Sequence, residues 1–305
     1  MTERIGHHPT NFWAYDAETG LVDLSRGAQG TQLSIQTTTN PIRLNPDTSV
    51  MVIVDMQNFF LSPAVRPRAS EQNPTPAESA AQALLGGGIQ AARRHGIRIV
   101  WLNWGLTEED LRNAPPGMMR TFGPYDSSRH DMSHAVPSQD GMIRVKNREL
   151  YKGLGVEIGS VDLGGGQKVE GGRVLMRYSW NTALYGPLEQ EFRANNPDHS
   201  SSASSKPDIL IHKNRTSGLC LPNSDLENFL KGNGITTLLF AGVNTDQCVG
   251  STLMDAASKG YDCILLRDAS ATTTPFSASE TWEWNVANCW GWVTTCDALK
   301  DGKFN

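Results

Sequence analysis

Apolar residues gather along the chain in short β-branched runs: residues 49–56 (SVMVIVDM), 97–103 (IRIVWLN), 207–213 (PDILIHK), 235–243 (ITTLLFAGV) and 262–270 (DCILLRDAS). Near-continuous apolar strands of this kind are buried on both faces of a parallel sheet. Helical patterns lie between them. One spans about 77–95 and stops at Gly96, and another spans 225–234 with Gly232 and Gly234 at its end. A third spans 245–260, with Val249, Leu253, Ala256 and Ala257 on one face and Gly260 as its stop. Residues 277–292 (SASETWEWNVANCWGW) read as a terminal helix rich in tryptophan. Strands alternating with helices predict an α/β fold, three layers deep, with a mainly parallel, doubly wound sheet.

Two regions escape the pattern. Residues 1–48 mix Gly, Thr, Asn and Gln without a period and are expected to form an N-terminal arm over a domain spanning 49–305. Between about 107 and 175 no period persists either, and a structureless loop of that length is improbable within a compact domain. An insertion with small elements of its own is expected there, acting as a lid or as a subunit contact. Its Gly164–Gly166 triplet is followed by neither Lys-Ser/Thr nor a helix pattern, which argues against a phosphate cradle.

Charge and cysteine content remove several classes of function. With 27 Lys and Arg against 32 Asp and Glu, the net charge is −5 and no cationic block stands out, so neither nucleic acid nor a membrane surface is an expected partner. No apolar run approaches the ~18 residues of a spanning helix. The opening residues MTERIGHHPTNFW lack a secretory pattern, which predicts a cytoplasmic protein. Cys220, Cys248, Cys263, Cys289 and Cys296 contain no C-x-x-C pair, so disulfides and thiolate zinc are not expected.

Ligands of a doubly wound sheet bind beyond the carboxyl ends of its strands. Asp55, Lys213 and Cys248 all fall at that edge. The segments that carry them, VIVDMQNFF, HKNRTSG and FAGVNTDQCVGSTLMDAASKGYDCILLRDAS, resemble the isochorismatase-like cysteine hydrolases in order, spacing and strand-helix context. Gly-Val-x-Thr-x-x-Cys followed by a helix and Gly-Tyr is the most specific part. The resemblance covers roughly Ser49–Trp104 and Arg177–Trp292.

It implies the isochorismatase-like hydrolase fold and a catalytic triad of Asp55, Lys213 and Cys248. It also implies an oxyanion hole from the backbone N–H groups of Asn244 and Cys248, a cis peptide at Val243–Asn244, and a homo-oligomer, dimer or tetramer. A free thiol is mostly protonated near neutrality, and both a helix N-terminus and a nearby ammonium are expected to favour the thiolate of Cys248. Metal-binding relatives carry histidines after the second strand; here that place reads WLNWG, so no metal and no other cofactor is expected. Asn103 and Trp104 at that place look more like the ureidoacrylate amidohydrolase branch. His130 and His134 lie further on, in the insertion.

The expected activity is hydrolysis of a C–N bond in a small amide or ureido compound through a thioester. Gln57, Phe60, Asn103, Trp104 and Arg215 are the expected substrate-binding residues. After Lys213 the family's two aromatic residues are replaced by Thr216 and Leu219, which reshapes one pocket wall, and Asp246 adds a carboxylate before the cysteine that disfavours an anionic group close by. The competing readings are an isochorismatase-type vinyl ether hydrolase and a catalytically idle binding module on the same fold.

Overall fold

The computed structural model describes residues 2–66, 73–122, 153–198 and 206–304. Its centre is a six-stranded sheet made of β1 (Ser49–Val54), β2 (Arg98–Trp104), β3 (Ile209–Lys213), β4 (Thr237–Val243), β5 (Asp262–Ala271) and β6 (Gly291–Thr294). The spatial order is β3-β2-β1-β4-β5-β6, and every neighbouring pair is parallel. Strand order therefore reverses between β1 and β4, and the crevice of a doubly wound sheet opens at such a point.

Alternation along the strands divides the core in two. Met51, Ile53, Ile99, Trp101, Leu239 and Ala241 face one side, packed against the helices over 76–94 and the helix Gly186–Ala194. Val50, Val52, Val54, Leu102, Leu238 and Phe240 face the other, against the helices Asp225–Gly232 and Gly250–Ser258. Helices on both faces make the three-layer α/β/α arrangement that the alternation of strands and helices predicts.

Gly242 is what lets β1 and β4 approach at the crevice. A Cβ at this position would lie 2.1 Å from Val54 O, and its φ is +114°, so only glycine fits. The chain also departs from the expected terminal helix. The helix Phe276–Asn285 runs into a π-helical turn at Val286–Trp290 and stops. Gly291 then opens β6 beside Cys263, whose carbonyl oxygen would be 1.9 Å from a Cβ there. Tertiary pairing ends a helix that the tryptophan pattern would have continued.

The N-terminal residues carry five short strands, Thr2–Ile5, Trp13–Asp16, Leu21–Asp23, Leu33–Ile35 and Ile42–Leu44. They join a second, mostly antiparallel sheet that Lys303–Phe304 completes at the other end of the chain. Its attachment to the main body is ionic as well as apolar. Asp262, at the start of β5, accepts from Arg26 Nη1 at 2.6 Å, Arg26 Nη2 at 3.1 Å and Trp13 Nε1 at 2.7 Å. Both charged side chains are nearly sequestered from solvent. Removing one member of such a pair strands the other, so Arg26→Met is expected to cost about 3 kcal/mol of unfolding free energy in a urea titration. A loss below about 1 kcal/mol would show the pair to be a surface bridge in energetic terms.

Of the insertion, the structure describes the helices Glu108–Arg112 and Pro116–Thr121 and a hairpin, Ser160–Gly164 with Gln167–Glu170. The glycine triplet makes the hairpin turn, with φ of +86°, +61° and +81°. Residues 123–152, including His130 and His134, lie outside the described residues. The two ends of the insertion meet: Leu106 pairs with Met176, and Leu106 N–H donates to Leu175 O at 2.8 Å. No helix among the described residues is long and apolar enough to cross a membrane.

Candidate active site

Three loops at the carboxyl edge of the sheet converge on one point. Asp55 follows β1 and is fully buried, with φ at +54°. For an aspartate this left-handed backbone is unusual and persists only where its surroundings impose it. Lys213 is the last residue of β3, and its Nζ lies 3.0 Å from Asp55 Oδ2, with the two side chains 2% and 0% exposed. The same ammonium sits 3.9 Å from the centre of the Trp104 ring and donates to Arg215 O at 3.2 Å.

Cys248 comes from the π-helical turn Thr245–Val249, which joins β4 to the helix Gly250–Ser258. Its thiol faces the Asp55 carboxylate, and the residue is 8% exposed. The Val243–Asn244 peptide before the turn is cis. The sequence-predicted acid, lysine and cysteine are therefore brought together at the β1/β4 crevice.

The electrostatics differ from the sequence expectation at the sulfur. Burial pushes the Cys248 thiol up to about 12; the Lys213 charge opposes this and the Asp55 charge adds to it. Burial also raises Asp55 above the ordinary carboxylate value, opposed first by Lys213 and then by hydrogen bonds, including one from the Trp104 N–H. Burial thus favours a neutral thiol over a preformed thiolate. Desolvation outweighs the ammonium, because the thiol and the carboxyl group are both buried.

The expected substrate contacts divide. Trp104 shares its sheet face with Val100 and Leu102 and belongs to the buried cluster that holds Cys248. Its indole N–H has no partner of ordinary hydrogen-bond geometry among the described residues and lies on the sulfur side. Phe60 is half-buried and stacks edge-on against Phe59 with centroids 5.0 Å apart. Arg215 reaches Met118 Sδ at 3.9 Å and Asn214 O at 2.7 Å.

Asn103 is not brought to the same side. Strand alternation turns it to the face opposite Trp104, where it is 1% exposed and its Oδ1 has no partner among the described residues. Gln57 is likewise placed in the framework. It is wholly buried, and all three of its amide hydrogen bonds go to main chain at Trp104 and Thr182. Asp246 accepts from the Thr272 and Thr274 hydroxyls at 2.5 and 2.8 Å, so its carboxylate anchors the loop after β5.

Some of the site lay beyond sequence reasoning. Phe122, just past the helix Pro116–Thr121, packs edge-on against Trp104 at 5.3 Å and against Phe59 at 6.3 Å. Trp282 covers the start of the helix after Cys248, where a Cβ on Gly250 would lie 2.8 Å from its ring. Neither aromatic sits in a periodic pattern that points at the crevice. No group of three or more His, Cys, Asp or Glu side chains placed to hold a metal ion occurs among the described residues.

Comparison with known proteins places these features in a family context. Residues 186–298 match the model of the isochorismatase domain. The chain is 28% identical over 290 residues to the ureidoacrylate amidohydrolase RutB of Methylorubrum extorquens, covering 93% of this chain and 94% of that protein. It is 27% identical over 261 residues to the RutB of Methylobacterium radiotolerans, covering 85% and 81%. Among solved structures, a cysteine hydrolase from Pseudomonas syringae superposes with a TM-score of 0.54 at 16% identity, over 84% of this chain and 92% of that one. A pyrazinamidase/nicotinamidase from Streptococcus mutans gives 0.51 at 15%, over 81% and 99%. These two share the fold.

Proposed function

We propose that this chain, which carries an isochorismatase domain and aligns with ureidoacrylate amidohydrolases along most of its length, is a cysteine-dependent amidohydrolase. Its substrate is a small amide or ureido compound, cleaved at a C–N bond. The observation that carries the reading is the meeting of Asp55, Lys213 and Cys248 in a buried crevice, with the thiol against the carboxylate and the ammonium 3.0 Å from it.

In this mechanism the Asp55 carboxylate takes the thiol proton as the sulfur attacks the substrate carbonyl carbon. The carbonyl π electrons move to oxygen, and the backbone N–H groups of Asn244 and Cys248 receive the oxyanion. Preorganised donors of this kind are each worth ~10²–10³ in rate. Protonated Asp55 then gives its proton to the departing nitrogen, the C–N bond breaks, and a thioester remains. Asp55 next deprotonates a water that attacks the thioester, and the thiol leaves with that proton. One carboxyl group thus serves as base, acid and base again.

Because burial raises the thiol, Asp55 takes the proton as the sulfur attacks rather than beforehand. Lys213 keeps the carboxylate ionised against its burial and balances charge on the sulfur. Trp104 and Phe60 form apolar walls, and Arg215 supplies a cation at the rim.

The test is a screen of small amides and ureido acids for ammonia or amine release, with mass spectrometry of acid-quenched enzyme. A substrate-derived adduct on Cys248 is expected; turnover without such an adduct would overturn the thioester step. Because WLNWG offers no histidine ligands, overnight dialysis against a chelator is expected to leave the rate unchanged. A loss restored by added zinc would contradict this.

A further inference from the structure

We propose that Gln57 is a positioning residue for the reaction, sharing a single main-chain donor with Asp55 and fixing that donor to the segment that closes the insertion. This rests on the reading of Asp55 as the general base.

The Trp104 N–H lies 3.1 Å from Asp55 Oδ1 and 3.0 Å from Gln57 Oε1, so one donor serves two acceptors. Which Gln57 atom faces that donor is decided by its other bonds. Nε2 donates to Trp104 O and to Thr182 O, each at 2.8 Å, and a flipped amide would lose all three contacts. With no exposed surface, Gln57 has no water to replace them.

The neighbouring residues extend this tie. Gln57 N–H donates to Asp55 O at 2.8 Å, Asn58 N–H to Ala183 O at 2.9 Å, Asn58 Nδ2 to Trp180 O at 2.9 Å, and Tyr185 N–H to Met56 O at 2.9 Å. Residues 180–185 are where the chain returns from the insertion. The left-handed backbone of Asp55 is therefore held on one side by β2 and on the other by this return segment, with Gln57 bonded to both.

The charged and titratable groups that face the Asp55 carboxylate are Lys213 from β3 and Cys248 from the turn after β4. Gln57 is neutral, so its influence passes through the shared donor. Removing its oxygen leaves the Trp104 N–H wholly to Asp55 and stabilises the carboxylate. Replacing its amide by a carboxyl group sets a second acid beside Asp55 and destabilises the carboxylate.

The pH dependence of turnover in Gln57→Met and Gln57→Glu separates these effects. The acid limb is expected to move to lower pH in Met and to higher pH in Glu. In both, kcat should fall about 10-fold or more while KM changes less, as for a misplaced catalytic group. Asn58→Ala, which cuts only the neighbouring tie to Trp180, should lower stability without moving the limb.

A second measurement needs no substrate: the pH profile of Cys248 alkylation by iodoacetamide, read on the Cys248 peptide, should move in the same two directions. If the unaltered protein hydrolyses no amide, the proposed function fails, and alkylation still decides the role of Gln57. Limbs that stay in place in both Gln57 variants, or move together, would overturn the inference. If Gln57→Met does not fold, the direction in the near-isosteric Gln57→Glu is sufficient.

Discussion

Cys248→Ala is expected to reduce amide turnover by about 10⁴-fold or more, the scale on which removal of a covalent nucleophile is felt when the other groups act with it as a unit. The fold should survive, because the thiol is small and its loss leaves only a minor void at the edge of the apolar cluster it belongs to. Circular dichroism and the urea midpoint check that. The variant also separates the chemistries this fold can host. Amide cleavage through a thioester has no route without the sulfur, whereas opening of a vinyl ether needs only proton transfer, which Asp55 could still perform. Retention of more than about a tenth of the amide turnover would set the thioester mechanism aside.

Lys213→Met is expected to lose activity and stability together, and its stability should depend on pH in a defined direction. The lysine and Asp55 form a buried ion pair at 3.0 Å. Deleting one member of such a pair typically costs about 3–5 kcal/mol, because the remaining charge has no compensation. Asp55 can escape part of that cost by taking up a proton. Burial already raises its pKa, and Lys213 is the largest opposing influence, so the variant should hold the proton to still higher pH. A carboxyl group that binds its proton more tightly when folded contributes most below its unfolded value. That contribution is lost as pH rises through the folded value.

The unfolding free energy of Lys213→Met should therefore fall more steeply than that of the native protein as pH rises above the ordinary carboxylate value. Turnover should fall by about 10³-fold near neutrality, since a protonated Asp55 cannot accept the thiol proton. Urea titrations across that range, paired with rates, provide the check. A pH-independent loss of stability would mean that Asp55 is not the group left uncompensated.

The six-residue run at 49–54 and its counterparts at 98–104 and 237–243 have every or nearly every side chain buried. Such runs are legible because burial on both faces of a parallel strand demands apolar residues at every position. Asp55 and Cys248 are legible for a related reason, since each follows one of those runs at its carboxyl end, and Lys213 closes the shorter apolar run Ile209–Lys213. The N-terminal sheet was not legible. Its strands are three or four residues long, with two buried side chains at most in each, as at Leu33 and Ile35 or Ile42 and Leu44. No alternation accumulates over that length, and the partner strand Lys303–Phe304 lies at the other end of the chain. Strand β6 was hidden differently, since Trp290 and Trp292 continue an aromatic helix pattern and only the fit of Gly291 against Cys263 ends it.

Within the site, sequence by itself determined which groups have reactive chemistry and at which edge of the sheet they stand. Tertiary structure decided what each of them is. Gln57 and Asn103 carry the polar atoms expected of substrate contacts, yet one is fully engaged by main chain at Trp104 and Thr182 and the other faces away from Trp104. The Cys248 thiol was expected to ionise easily, and burial instead pushes it to about 12. The physical reason is common to these cases. Residue type and spacing specify what a group can donate, accept or titrate, whereas its partners and its access to water come from segments far away in the chain, and those set its orientation and charge.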